Sequence, residues 1–148
     1  MKTSIITLAA VLALAGCTSP TKTADSKLPP LGGSLEGGPW LVESINGTAI
    51  NPKVRADLTF EPGDHDTSMV FGTGGCNRLR GGWQQTGSKI KLGPMAGTMM
   101  MCEPEKMETE QKVLKGLEAA TTVSFGADGA AMLTAADGGV VKLRREKK

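Results

Sequence analysis

The chain has 148 residues, the length of one ordinary domain, and a formal net charge of +2. So balanced a charge argues against a nucleic-acid partner, which requires a basic surface. Three phenylalanines, two tryptophans and no tyrosine are too few for a platform that stacks bases or sugars. A single histidine argues against a multi-histidine metal site or a histidine-based catalytic centre. Twenty glycines and eight prolines favour many turns and therefore short strands.

Residues 1–16 have the form of a secretory signal peptide. The apolar run Ile5 to Ala15 is shorter than the roughly 20 residues that span a bilayer. Leu14-Ala15-Gly16-Cys17 resembles the bacterial lipobox, which implies that Cys17 is diacylated and becomes the first mature residue. Thr18 stands where an aspartate commonly retains lipoproteins in the inner membrane. We therefore expect a lipid anchor in the outer membrane, with the domain facing the periplasm; the alternative is an ordinary signal peptide with an incidental cysteine.

The residues after the signal peptide divide into a tether and a folded domain. Residues 17–39 are rich in Thr, Ser, Lys, Gly and Pro, and hold too few large apolar groups to offset the entropy of ordering them. They predict a lipidated N-terminus followed by a flexible tether. Residues 40–148 form the predicted domain.

Alternating apolar and polar residues run through most of this domain. Leu58 and Phe60, for example, alternate with polar neighbours. Turn signals such as Asn46-Gly47, Thr86-Gly87-Ser88 and Asp128-Gly129 separate the runs at hairpin spacing. About eight strands can be counted. The pattern predicts a mainly β fold in which an antiparallel sheet curls into a small open barrel.

One segment, about residues 103–120, has helical rather than strand character. Pro104 suits a first helical position, and glutamates crowd the early turns. Four apolar residues share one face at 3.6 residues per turn: Met107, Val113, Leu114 and Leu117. We predict one α-helix packed across an open side of the sheet.

Five segments of the domain together form a recognisable set. They are Trp40-Leu41, Leu58-Thr59-Phe60, Gly74-Gly75-Cys76-Asn77-Arg78, Thr98-Met99-Met100-Met101-Cys102 and Met107-Glu108-Thr109-Glu110. As a set they resemble the META (HslJ-like) domain family, with Trp83 where a tyrosine is common. The motif residues carried by the resemblance are Gly75, Cys76, Asn77, Arg78, Thr98 and Cys102. The resemblance implies a small barrel-like fold with one helix, and a role in heat shock, secretion or antibiotic tolerance rather than a defined reaction.

Cys76 and Cys102 remain once Cys17 carries lipid. An even pair in an oxidising compartment favours a disulfide, which here would join the glycine-rich loop to the start of the helix. Reduced thiols are one alternative. A redox-active pair is another, although no Cys-x-x-Cys motif supports it.

The polar residues near these cysteines allow a structural and a binding interpretation. Asn77 is predicted to hold the turn, because asparagine satisfies backbone groups locally. Arg78 with Arg80 could instead bind a carboxylate or phosphate. His65 lies between two aspartates after a Pro-Gly pair and predicts an exposed turn rather than a metal ligand.

Methionines cluster beside Cys102, at positions 95, 99, 100, 101 and 107. Core packing is the first interpretation, since methionine fills irregular gaps. An adaptable apolar binding surface is the second. A Cu(I) site formed by soft thioethers is the third.

Two functions from different classes follow. The first is a non-enzymatic outer-membrane lipoprotein that binds a protein, peptide or acyl chain and needs no cofactor, metal or nucleic acid. The second is a periplasmic copper or redox protein that uses the Met/Cys cluster 95–107. No combination of nucleophile and base in the sequence predicts an enzyme.

Overall fold

Nine strands and one helix make up residues 33–64 and 68–147, which are the residues that this computed structural model describes. The elements are β1 (Gly37–Ile45), β2 (Thr48–Ala49), β3 (Asp57–Glu61), β4 (Met69–Thr73), β5 (Arg78–Thr86), β6 (Lys89–Gly97), α1 (Pro104–Ala119), β7 (Ala120–Phe125), β8 (Ala130–Ala135) and β9 (Val140–Arg145). The predicted mainly β fold with one helix at about 103–120 is confirmed.

The strands form a closed antiparallel barrel. Each strand from β3 to β9 pairs with the next, and β1 pairs with β3 on one edge and β9 on the other. Eight strands complete the ring, and β2 lies outside it. The sequence predicted an open barrel, but the ring is closed. It closes because the nine-residue β1 is long enough to pair with both ends of the sheet, for example Val42 with Leu143.

Large apolar side chains fill the inside of this barrel. Alternation along each strand points one residue in two inward, so Leu58 and Phe60 of β3 are buried while Glu61 is exposed. The Phe60 and Trp83 rings meet edge to face, with centroids 5.3 Å apart. An eight-stranded barrel is just wide enough for such side chains, so its interior is a packed core.

Helix α1 covers the weakest part of the ring. Strands β6 and β7 pair at a single residue pair, Lys89 with Thr122, and the rest of the β6 edge faces the helix. Val113 and Leu117 of the predicted apolar face are buried against the barrel. Gly116 comes so close to β9 that a Cβ there would lie 2.4 Å from Cγ2 of Val141. The helix therefore packs where the sequence predicted an open side.

The ordered domain begins before Trp40. Leu35, which the sequence assigned to the tether 17–39, is fully buried in the core. Its N–H donates to Oε1 of Gln85 (3.1 Å), and its carbonyl accepts from the Trp40 indole (2.8 Å). A single large apolar residue in a segment otherwise rich in glycine, proline and polar residues carries little signal of burial, which explains the shifted boundary.

The signal peptide, Cys17 and His65 lie outside the described residues, so these predictions remain predictions. Within 33–64 and 68–147, no helix is long and apolar enough to cross a membrane.

Candidate functional site

The glycine-rich loop between β4 and β5 packs directly on helix α1. A Cβ on Gly74 would lie 2.9 Å from Cγ of Glu110, and one on Gly75 would lie 3.1 Å from the carbonyl oxygen of Lys106. Gly75 also has a φ of +132°, which side-chain-bearing residues rarely adopt. The two glycines are needed because the loop backbone must approach the helix closely.

This close approach brings two backbone N–H groups to the carboxylate of Glu110. The N–H of Cys76 donates to Oε2 at 3.2 Å, and the N–H of Asn77 donates to the same oxygen. The Asn77 side chain donates from Nδ2 to Oε1 at 2.8 Å. Glu110 is only 8% exposed and Asn77 only 4%. A buried carboxylate with three N–H donors fixes the loop to the helix.

The carbonyl side of the Asn77 amide holds a second loop, residues 98–103, which connects β6 to α1. Asn77 Oδ1 accepts from the Thr98 hydroxyl (2.9 Å) and from the backbone N–H of Met100 (2.6 Å). Thr98 Oγ1 in turn accepts from the N–H of Arg78 (3.2 Å). The Asn77 amide therefore links helix α1, the glycine-rich loop at 74–77 and the loop at 98–103, which we call the methionine loop.

A disulfide between Cys76 and Cys102 joins the same two loops, with Cα atoms 5.9 Å apart. The predicted bridge is confirmed, and the alternative of reduced thiols does not describe this structure. All six motif residues meet at this junction: Gly75, Cys76, Asn77, Arg78, Thr98 and Cys102.

The methionine run lies outside the core. Met99 is 99% exposed, Met100 54% and Met101 92%. The interpretation of these three residues as core packing is therefore wrong, because the backbone that carries them is tied to Asn77 and Cys102 on the barrel's outer surface. Met95 alone of the cluster packs partly against the core.

An outward-facing groove of about 950 Å³ continues from this loop across β3 to β6. Phe71, 39% exposed, and Met100 both line this groove, and Phe71 pairs across the strands with Arg80. The side chains of Arg78 and Arg80 make no ion pair with any residue that the structure describes. We call the exposed Met99–Met101 run, together with Phe71 of the adjoining groove, the apolar patch.

The residues near the methionine run provide few ligands for a metal ion beyond the thioethers themselves. The disulfide occupies the thiols of Cys76 and Cys102, so a copper site at 95–107 would have only methionine thioethers as sulfur ligands. Among residues 33–64 and 68–147, no three His, Cys, Asp or Glu side chains converge as metal ligands.

Sequence reasoning missed the role of Glu110. Its spacing of three and seven residues from Val113 and Leu117 places it on the buried face of α1, and this spacing was visible in the sequence. A glutamate at such a position needs buried hydrogen-bond donors. The neighbouring Gly-Gly-Cys-Asn segment supplies them.

The fold and this junction define a class of small antiparallel barrels that are closed by their first and last strands and crossed by one helix. The family model of the META domain matches residues 33–148. The chain therefore belongs to the META domain family, as the motifs indicated.

Two solved structures share this fold. One, an NMR structure of a protein from Burkholderia xenovorans, aligns with a TM-score of 0.63 at 22% identity, covering 77% of this chain and 85% of the other. Another NMR structure aligns with a TM-score of 0.54 at 23% identity, covering 72% and 89%. No curated protein matches the chain.

Proposed function

We propose that this protein is a non-enzymatic envelope lipoprotein, anchored in the outer membrane through Cys17, whose META domain binds an apolar segment of a protein or peptide or an acyl chain. The observation that carries the proposal is the exposure of three consecutive methionines on a loop whose backbone is fixed. We add a role in stress tolerance to the proposal because the family resemblance implies one.

Exposed methionines suit recognition of varied apolar partners. Their unbranched thioether side chains adapt to different shapes, and each buried methylene contributes about 0.8 kcal/mol to association. Asn77 and the disulfide hold the backbone of residues 98–103, so little loop ordering opposes binding. Fixed main chain with adaptable side chains is what a binding surface of broad specificity needs.

The buried carboxylate supports a binding role over catalysis. Glu110 and Asn77 are the charged and amide groups that most resemble catalytic residues here. Both oxygens of Glu110 accept N–H groups of the loop, and both ends of the Asn77 amide are engaged. Because their polar groups are engaged in these bonds, Glu110 and Asn77 hold the two loops in place rather than act on a substrate.

Binding is tested with the mature lipoprotein in phosphatidylcholine vesicles and a fluorescein-labelled, water-soluble peptide containing leucine and phenylalanine. Labelled dodecanoate serves as the acyl probe, and vesicles without protein give the blank. We expect saturable anisotropy changes that the triple variant M99Q/M100Q/M101Q loses and M99L/M100L/M101L keeps. Equal binding by both variants, or no binding of either probe, would contradict the proposal.

The anchor is tested separately. Mass spectrometry of the mature protein is expected to find an acylated Cys17 at its N-terminus, and Cys17→Ser is expected to accumulate as unprocessed precursor. Normal processing and membrane retention of that variant would refute the anchor.

A further inference from the structure

The loop at 98–103 carries three methionines whose side chains are exposed to oxidants in solution. A thioether exposed to water reacts with peroxides, and its sulfoxide is polar where the thioether was apolar. The chain has eight methionines. Met99, Met100 and Met101 are exposed, whereas four others are half-buried, at positions 69, 95, 107 and 132.

We propose that Met99–Met101 is a site of oxidative modification, at which peroxide converts the thioethers to sulfoxides and so removes the apolar character of the patch without unfolding the domain. The modification stands on its own; the consequence for ligand binding rests on the proposed function. Nothing about the reaction requires a metal or a cofactor.

The chemistry is a two-electron oxygen transfer. The thioether sulfur attacks one oxygen of hydrogen peroxide, the O–O bond breaks, and an S–OH bond forms while the other oxygen leaves as hydroxide. The hydroxide then takes the proton of the S–OH group, which leaves the sulfoxide and one water molecule. Each methionine is oxidised by two electrons and each peroxide is reduced by two, so the three sites consume three equivalents.

Cysteine does not compete for the oxidant in the described domain. Thiolates are usually the first sulfur groups to react, but Cys76 and Cys102 are already joined in a disulfide. With the sulfur of Cys17 in a thioether to diacylglycerol, as the proposed anchor requires, the three cysteines of the chain leave no thiol in the mature protein. Among the described residues, the exposed thioethers of Met99–Met101 are then the most accessible reduced sulfur.

The fold is expected to tolerate the change because the three side chains contribute nothing to the core. The bonds that hold their loop run through the N–H of Met100, the Asn77 amide and the disulfide, and none uses a methionine sulfur. Oxidation of Met95 would differ, because its side chain packs against the core.

Modification is tested on the mature lipoprotein in phosphatidylcholine vesicles, treated with graded hydrogen peroxide and mapped by peptide mass spectrometry. We expect Met99, Met100 and Met101 to be oxidised about tenfold faster than Met69, Met95, Met107 and Met132, because their side chains are more exposed to solvent. Thermal unfolding, followed by tryptophan fluorescence, should be unchanged after three equivalents have reacted. Equal rates at all sites, or a lowered melting temperature at that stage, would overturn the proposal.

The regulatory consequence is tested with the labelled peptide. Peroxide treatment should weaken peptide binding at least about tenfold in the natural protein and leave the M99L/M100L/M101L variant unaffected, since leucine cannot form a sulfoxide. Binding that survives full oxidation of the three methionines would overturn this consequence. If untreated protein fails to bind while the sulfoxide map is as expected, the proposed function fails and the modification site stands.

Discussion

Asn77 and Glu110 lie 33 residues apart in the chain and meet through a buried hydrogen bond of 2.8 Å. The asparagine belongs to the loop after β4 and the glutamate to the buried face of α1. Because the same amide also accepts from Met100, the position of the methionine loop depends on a carboxylate that lies on the helix. The contacts of Asn77 therefore couple the position of the methionines of the apolar patch to the position of the helix.

Glu110→Ala should be strongly destabilising. It would leave the N–H groups of Cys76 and Asn77 and the Asn77 amide without their acceptor, at a cost of about 3 kcal/mol in the free energy of unfolding. Urea unfolding measures the change. Glu108→Ala, two residues away on the exposed face, is the matched control and should change it by less than about 0.5 kcal/mol. Equal effects would show that the loop does not depend on Glu110.

Removal of the disulfide should lower stability without changing the fold. The bridge spans 26 residues, so C76A/C102A should lose about 3.5 kcal/mol on the chain-entropy estimate. Far-UV circular dichroism should stay the same, and the melting temperature should fall. Thiol labelling of the unfolded, unreduced protein provides the check: two reactive thiols from this pair would contradict the bridge.

Gly116→Ala should be destabilising although alanine is the better helix former by about 1 kcal/mol. Its Cβ would lie 2.4 Å from Cγ2 of Val141, a buried β-branched side chain with little freedom to move. We expect a net loss of about 1–2 kcal/mol in urea unfolding. Lys115→Ala, on the exposed side of the same helix, should be close to neutral. A stabilised G116A variant would show that the helix can shift away from β9.

Acid should weaken the domain through its surface carboxylates. A hydrogen bond from Arg144 lowers the pKa of Glu43, and one from Arg55 lowers the pKa of Glu146. The pKa of Asp128 is lowered by the N–H of Ala130 and by Arg144. A carboxyl whose pKa is lower in the folded state contributes stability above its unfolded pKa, and this contribution is lost as pH falls below about 4.

Urea unfolding between pH 7 and pH 3 tests this dependence. Stability should fall on acidification, and Glu43→Gln should make the fall shallower because its carboxyl no longer titrates. High salt should reduce the effect, since these groups are exposed and screened. A pH profile that the E43Q variant leaves unchanged would contradict the assignment.

Local pattern predicted much of this fold. Alternation in segments such as Leu58–Phe60 identifies a strand with one buried face, and Pro104 marks the first helical turn. The Cys76–Cys102 bridge followed from the number of cysteines and the compartment implied by the signal peptide. These features depend on residues close together in sequence or on simple counting.

The remaining features depend on contacts that carry no local signal. Pairing of β1 with β9 joins opposite ends of the domain, so the closed ring was invisible in the pattern of either strand. Methionine occurs in cores and on binding surfaces alike, and the exposure of Met99–Met101 follows from how Asn77 holds the loop. The outward position of Phe71 could have been predicted, because side chains alternate along a strand and a buried Val70 places Phe71 on the outer face.

Closure by β1 and β9 also sets when the domain can fold. The first strand obtains one of its two neighbours in the ring only from residues 140–145, at the far end of the domain. A chain still being synthesised, or still passing through a narrow export channel, has no complete ring and buries its core only after the last strand emerges. For a protein exported unfolded, this strand order delays folding until translocation is complete, and truncation before Val140 should abolish the domain rather than shorten it.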